Sequence, residues 1–250
     1  MYGRRLPSSG MDLGIAGKRA AVAAASSGLG LGSARALAAE GVHVAICSRD
    51  RARVEAAAAE IEGVVVPLVA DVSTPEGAIG FVEAAVEALG GVDILVPNAG
   101  GPPPGNFAST PLEAYPAAID LNLMSVVAMC TAAMPSMQER GWGRIVAITS
   151  LSVRQPMANL ILSNTARAGA TGFLKTLARE VAADGVTVNS VQPGLHRTPR
   201  VTQTGGAAPD RPMGEADDFG QVVAFLCSQQ ARFTTGVQLH VDGGDYAGLQ

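Results

Sequence analysis

Short apolar runs and helix-length segments alternate along almost the whole chain, and that alternation restricts the fold more than any single motif. The apolar runs fall at 18–25, 42–47, 64–69, 92–96, 144–149, 186–191 and 237–244. Between them lie segments patterned as helices: one ending at Glu40 before Gly41, then 50–61, 75–89, 111–137, 160–183 and 215–228. Strand and helix in strict succession imply a parallel sheet with helices on both faces. Near-continuous apolar runs, rather than an in/out alternation, are what such doubly covered strands require. The expected fold class is α/β, a single doubly wound domain of about seven parallel strands over 12–250. A chain of 250 residues is long enough to give one such domain a large core. No internal repeat and no linker of different composition divides it.

The first strand runs into Ser26-Ser27-Gly28-Leu29-Gly30-Leu31-Gly32 and then a helix. Strand, glycine-rich turn and helix in that order place free N–H groups of a first helical turn where a pyrophosphate binds, the Rossmann arrangement. A bare helix-capping turn has a similar composition, so the setting decides. The second strand ends in Ser48-Arg49-Asp50. An acid here holds the ribose hydroxyls of NAD, whereas an arginine accommodates the 2′-phosphate of NADP. Ser48 and Arg49 favour NADP, and Asp50 keeps NAD possible. The plain alternative for Arg49 is a solvated residue at a helix start.

Ser150 closes the fifth strand, and Ser163 and Arg167 stand four residues apart on the following helix, hence on one face. Ligands of open α/β sheets bind at the carboxyl ends of the strands. On these residues the chain resembles the short-chain dehydrogenase/reductases, and among them the 3-oxoacyl-acyl-carrier-protein reductases, over nearly all of 12–245. The family's phosphate pattern, Thr-Gly-x-x-x-Gly-x-Gly, is met by Gly28 and Gly30, with Ala23 and Ala24 in the first two places. Ala24 at the first glycine requires a turn of negative φ or some strain. The resemblance implies that Ala24, Ser26, Ser27, Gly28, Leu29 and Gly30 bind the cofactor diphosphate. It implies adenine contact for Asp71 and Val72, although Asp71 can equally cap the helix at 75–89. The family's Asn-Asn-Ala-Gly is Pro97-Asn98-Ala99-Gly100 here. Pro97 lacks a backbone donor and belongs at the strand's exit. Pro193 and Gly194 take the family's nicotinamide-lining positions. Asn122 matches the helix asparagine that holds a water beside the catalytic lysine; its plain alternative is a buried amide bonded to backbone. Tyr115, seven residues earlier, matches an aromatic packing position.

The family's Tyr-x-x-x-Lys, with a serine thirteen residues ahead of the tyrosine, is kept only at Ser150; Ser163 replaces the tyrosine and Arg167 the lysine. Carbonyl reduction needs a hydride on carbon and a proton on oxygen. Tyrosine, with a pKa near ~10, can be tuned to give that proton; a serine hydroxyl is a far weaker acid. Arginine stays charged and exchanges no protons, but it can bind ribose hydroxyls or an anionic substrate. Three readings follow. The first is an NADP-preferring oxidoreductase interconverting a carbonyl and a hydroxyl group, 3-oxoacyl reductase-like, with water or another side chain carrying the proton. His196, which titrates in the useful range, and Arg154 are the side-chain candidates. The second is non-redox chemistry, an isomerase or lyase using Ser150 and Arg167. The third is a non-catalytic dinucleotide-binding or partner protein. Asn122, Ser150, Ser163 and Arg167 are the catalytic candidates. The partner is a small carbonyl or alcohol substrate, and the family's interface implies a homotetramer or homodimer built partly from helices 111–137 and 160–183.

Composition narrows the rest. The net charge is −4 and no basic stripe points to nucleic acid. No apolar run reaches the ~18 residues a membrane helix needs. Cys47, Cys130 and Cys227 are dispersed, fit no metal spacing and are expected as buried free thiols, which fits a reducing cytoplasm. Residues 1–10 lack the apolar core of a secretory signal, and 1–11 are expected as a disordered tail. Gly101-Pro102-Pro103-Pro104-Gly105 is a stiffened loop that either borders the substrate or merely connects. The segment 195–214, rich in threonine, glycine and proline, is expected as a mobile substrate lid.

Overall fold

The computed structural model describes residues 11–203 and 213–249. The expected tail lies outside them apart from Met11, and so does much of the expected lid. Seven strands form one sheet: β1 (Arg19–Val22), β2 (His43–Ser48), β3 (Val65–Val69), β4 (Ile94–Val96), β5 (Gly143–Ile148), β6 (Val186–Pro193) and β7 (Gln238–Val241). Their order is β3-β2-β1-β4-β5-β6-β7, and every neighbouring pair is parallel. The order reverses between β1 and β4, which opens a crevice at the carboxyl ends of those strands. The helices are α1 (Gly28–Ala39), α2 (Arg51–Ala59), α3 (Pro75–Leu89), α4 (Tyr115–Ile119), α5 (Ser125–Glu139), α6 (Ile161–Glu180), α7 (Pro199–Gln203) and α8 (Ala216–Cys227).

Alternate strand residues feed two cores. Ala21 and Ala23 face α3, α5 and α6, together with Phe81, Met129 and Leu174. Ala20 and Val22 face α1, α2 and α8, together with Leu37, Val54 and Phe219. Phe81 and Phe219 are fully buried, each contributing about 1.5–3 kcal/mol. Local signals set the helix ends. Thr74 caps α3 by accepting from the Gly77 N–H at 3.2 Å, with Pro75 in the first turn, and Gly90 ends it at φ 75°. Asp50 caps α2, accepting from the Arg53 N–H at 3.1 Å. At the amino ends of the strands, Asp93 takes Arg19 Nε and Nη2, each at 2.8 Å, and lies 3.2 Å from Arg140 Nε.

The structure changes three expectations. The first strand stops at Val22 rather than Ala25, because the chain bends at Ala24. The helix expected at 111–137 is a stretch of different windings: a 3-10 turn at Leu112–Ala114, α4, a π turn at Asp120–Met124, and α5. Within Leu112–Glu139 an 18-residue window reaches a mean hydropathy of 1.6, enough by length and composition for a membrane span, contrary to the sequence expectation. Half of that window is buried inside the fold, and α5 packs on α3, as a core helix does. The three cysteines are free and buried as expected, and burial pushes each thiol up to about 12. Among the described residues no cluster of metal-ligating side chains occurs.

Candidate active site

One cavity of about 1120 Å³ opens over the carboxyl ends of β1 to β6. Its floor is the bend after β1. Ala24 is in the left-handed region at φ 48°, so of the two routes open to an alanine here the chain takes the strained one. Asn98, two residues past β4, holds the bend: its Nδ2 donates to the Ala23 and Ala24 carbonyls at 3.2 and 3.3 Å. Gly30 packs against the same clamp, and a Cβ there would come within 2.8 Å of the Ala24 oxygen and 2.9 Å of Asn98 Nδ2. Gly28 has φ 59° and opens α1. Ser27, the residue before it, makes no side-chain cap, so the first N–H groups of α1 stay available to an anion.

At one end of the cavity Ser48, Arg49 and Asp50 follow β2. One carboxylate oxygen of Asp50 caps α2, and Arg49 is exposed at the rim. The sequence reading missed Arg53. It lies in the first turn of α2, lines the cavity and brings Nη2 within 3.5 Å of Ser27 Oγ. The run Arg49-Asp50-Arg51-Ala52-Arg53, with an arginine at every second position, was the available signal. Asp71 and Val72 line the same end. Asp71 does not cap α3, a role Thr74 holds; its carboxylate accepts from the Ser73 N–H at 3.0 Å in a local turn.

The other end gathers Ser150, Ser163 and Arg167 with Ala99, Gly100, Pro193, Gly194 and His196. Ser150 Oγ donates to Ser152 Oγ at 2.9 Å and accepts from the Ser152 N–H at 3.1 Å, which fixes it at the end of β5. Ser163 is 8% exposed and its hydroxyl makes no hydrogen bond among the described residues. Arg167 is 9% exposed; Nη1 donates to Ile148 and Thr149 oxygens at 3.2 and 3.1 Å, and Nη2 to the Ala99 oxygen at 3.4 Å. Burial, and the nearby Arg200 charge after it, pulls this guanidinium down to about 10, so it remains a cation at neutral pH. Asn122 is not in the cavity wall. Its Nδ2 donates to the Gly100 oxygen at 2.9 Å, its Oδ1 is buried with no partner among the described residues, and its π turn packs on α6. Tyr115 stays outside the wall, in keeping with a packing role.

The two side-chain candidates for the proton fare differently. Arg154 is exposed and lies over the Tyr246 ring, 5.2 Å from its centroid, away from the cavity wall. His196 is buried and lines the cavity, but its Nδ1 faces the Gly194 oxygen at 3.2 Å and its ring meets Phe219 edge-on. The roof comes from both flanking segments. Gly101 and Pro102 line the cavity, so that loop borders it, while Gly105 is tied to the start of α6 through Asn159 and Ile161. Arg200 on α7 donates to the Pro102 oxygen at 2.9 Å. The ends of the expected lid are pinned together, with the Arg197 N–H on the Gly214 oxygen and the Gly214 N–H on the Leu195 oxygen.

The family model described as Enoyl-(Acyl carrier protein) reductase matches residues 23–245. Dehydrogenase/reductase SDR family member 4 of Homo sapiens is 33% identical over 256 residues, covering 96% of this chain and 92% of that protein. The 3-oxoacyl-(acyl-carrier-protein) reductase of Vibrio cholerae is 34% identical over 184 residues, 70% of this chain and 75% of that one. The L-sorbose reductase of Gluconobacter frateurii, solved with NADPH and L-sorbose, superposes with a TM-score of 0.89 at 32% identity, over 96% of this chain and 100% of that one. Likeness on this scale takes in every strand of the sheet and every segment around the cavity, and the chain belongs to the short-chain dehydrogenase/reductase family.

Proposed function

We propose that the protein is an NADP(H)-dependent oxidoreductase that interconverts a carbonyl and a hydroxyl group. The observation that carries this is the continuity of one cavity from Arg49 and Arg53, past the open N-terminus of α1, to Ser150, Ser163 and Arg167. The residues present fit a dinucleotide. The clamped bend at Ala24 and the bare backbone of Gly28 and Gly30 suit a diphosphate, and the two arginines suit a 2′-phosphate. NADP is therefore preferred over NAD, in line with the NADPH of the sorbose reductase complex.

When bound, the nicotinamide supplies or accepts the hydride. Ser150, turning its hydroxyl away from Ser152, donates a hydrogen bond to the carbonyl oxygen, and the fixed charge of Arg167 stabilises negative charge developing there. Neither Arg167 nor Ser163 is an acid of useful strength. The proton comes from solvent, passed on through the Ser150 hydroxyl. His196, turned to Gly194 and wedged by Phe219, acts as a wall. The substrate class is a small carbonyl compound, 3-oxoacyl derivatives included. A homotetramer or homodimer using α5 and α6, in the cytoplasm, completes the reading; light scattering showing a monomer at micromolar concentration would remove the oligomer.

The test is NADPH binding by fluorescence, followed by NADPH oxidation against a panel of ketones, 3-oxoacyl thioesters and sugars. Saturable binding with turnover of any panel member supports the proposal. A protein that binds neither NADPH nor NADH contradicts it.

A further inference from the structure

Charge is distributed unevenly around the cavity. Among the described lining residues the acids are Asp50 and Asp71, and both follow β2 and β3, at the nucleotide end. Around β5 and α6 the described lining carries Arg167 and Arg200 and no carboxylate. Arg167 is nine-tenths buried, yet its partners are the neutral carbonyls of Ile148, Thr149 and Ala99. Three carbonyl dipoles hold the head in place without cancelling its charge. A buried cation in that condition is costly unless a ligand brings the counter-charge.

The chemistry of the substitutions points the same way. A lysine would present a compact point charge; arginine presents a planar fork of five N–H donors, three taken by backbone carbonyls and two left for a carboxylate. Serine in place of an aromatic ring leaves room beside that fork, and the Ser163 hydroxyl, with no hydrogen bond among the described residues, is an added donor. We infer that the substrate reduced at this site carries a carboxylate near its carbonyl, held by Arg167 and Ser163 while Ser150 takes the carbonyl oxygen. This rests on the reading of the β5–α6 end as the reaction site.

The test uses matched acids and esters: 2-oxobutanoate and 4-oxopentanoate against their methyl esters. Each is titrated by calorimetry into the protein with and without NADPH, and each is assayed for NADPH oxidation. In at least one pair the acid should bind about tenfold tighter or more, with the ratio falling at high salt. Arg167→Gln should bring the ratio towards one, and Arg167→Lys should keep part of it. Equal affinity for acid and ester in both pairs, in protein that binds NADPH, overturns the inference. Preference for the acids without any NADPH binding would instead overturn the redox reading and leave the anion site standing.

Discussion

Ala24 offers a direct test of how the cofactor floor is built. An L-residue in the left-handed region costs roughly 1–2 kcal/mol, and Ala24 has φ 48°. Replacing it with glycine removes that cost. Two terms oppose the gain: glycine adds about 0.4–1 kcal/mol of unfolded-state freedom, and removing a half-buried methyl forfeits about half of the ~0.8 kcal/mol of a buried one. The sum for Ala24→Gly is close to zero, or a gain of up to about 1 kcal/mol. Ala84 is the control, an equally half-buried alanine in the interior of α3. There Ala→Gly has no strain to relieve and costs about 1 kcal/mol. Urea unfolding at one protein concentration should separate the two variants by about 1–2 kcal/mol, which is roughly 2–8 °C in melting temperature for a domain of this size. If Ala24→Gly is as damaging as Ala84→Gly, the bend stores no strain, and the clamping role given to Asn98 goes with it.

Arg49→Asp should weaken NADPH binding about 10- to 100-fold and leave NADH nearly unaffected, with the loss shrinking at high salt; unchanged NADPH affinity would end the preference for NADP. Ser163→Tyr with Arg167→Lys should raise reduction of uncharged ketones about 10²-fold or more, the scale of general acid catalysis; an unchanged rate with NADPH bound would show that the proton donor is not what the site lacks. Burial alone would raise the Asp93 carboxyl, but the hydrogen bonds from Arg19 and the charges of Arg19 and Arg140 outweigh it and hold the group below its ordinary value. A carboxyl lowered in the folded state stabilises fully above the unfolded pKa, and the benefit disappears as pH falls through the folded value. Asp93→Asn should therefore cost about 2–3 kcal/mol at pH 7, and its gap from the parent should close below about pH 4; a gap constant from pH 7 to pH 3 would mean the ion cluster is not the cause.

The sheet was legible because each buried strand is an apolar run and each run ends where a helix pattern begins. The strands at 42–47 and 186–191 shift by only a residue or two in the structure. Pro97 and Cys47, Cys130 and Cys227 fall where a missing donor and an apolar setting require. Spacing alone brought Ser150, Ser163 and Arg167 to one cavity. What stayed hidden depends on reach and winding. Asp71 and Thr74 are both good caps, and only the backbone shows which of them meets the Gly77 N–H. Arg53 and Arg200 enter the wall because long side chains cross from one element to another, to Ser27 and Pro102. The π turn at Asp120–Met124 has no compositional mark, and neither does the left-handed backbone of Ala24.

That π turn has a consequence for which length changes the chain tolerates. One surplus residue is wound into it, so a single deletion between 120 and 124 would yield a smoother, better hydrogen-bonded helix. Because the widened turn already absorbs that residue, the helices on either side would keep their register and only the turn itself would rewind. Asn122 would then turn away from the Gly100 carbonyl it now anchors. The segment is thus one where the more regular sequence is the worse one, and shortened variants should be well folded yet poorly formed around Gly100.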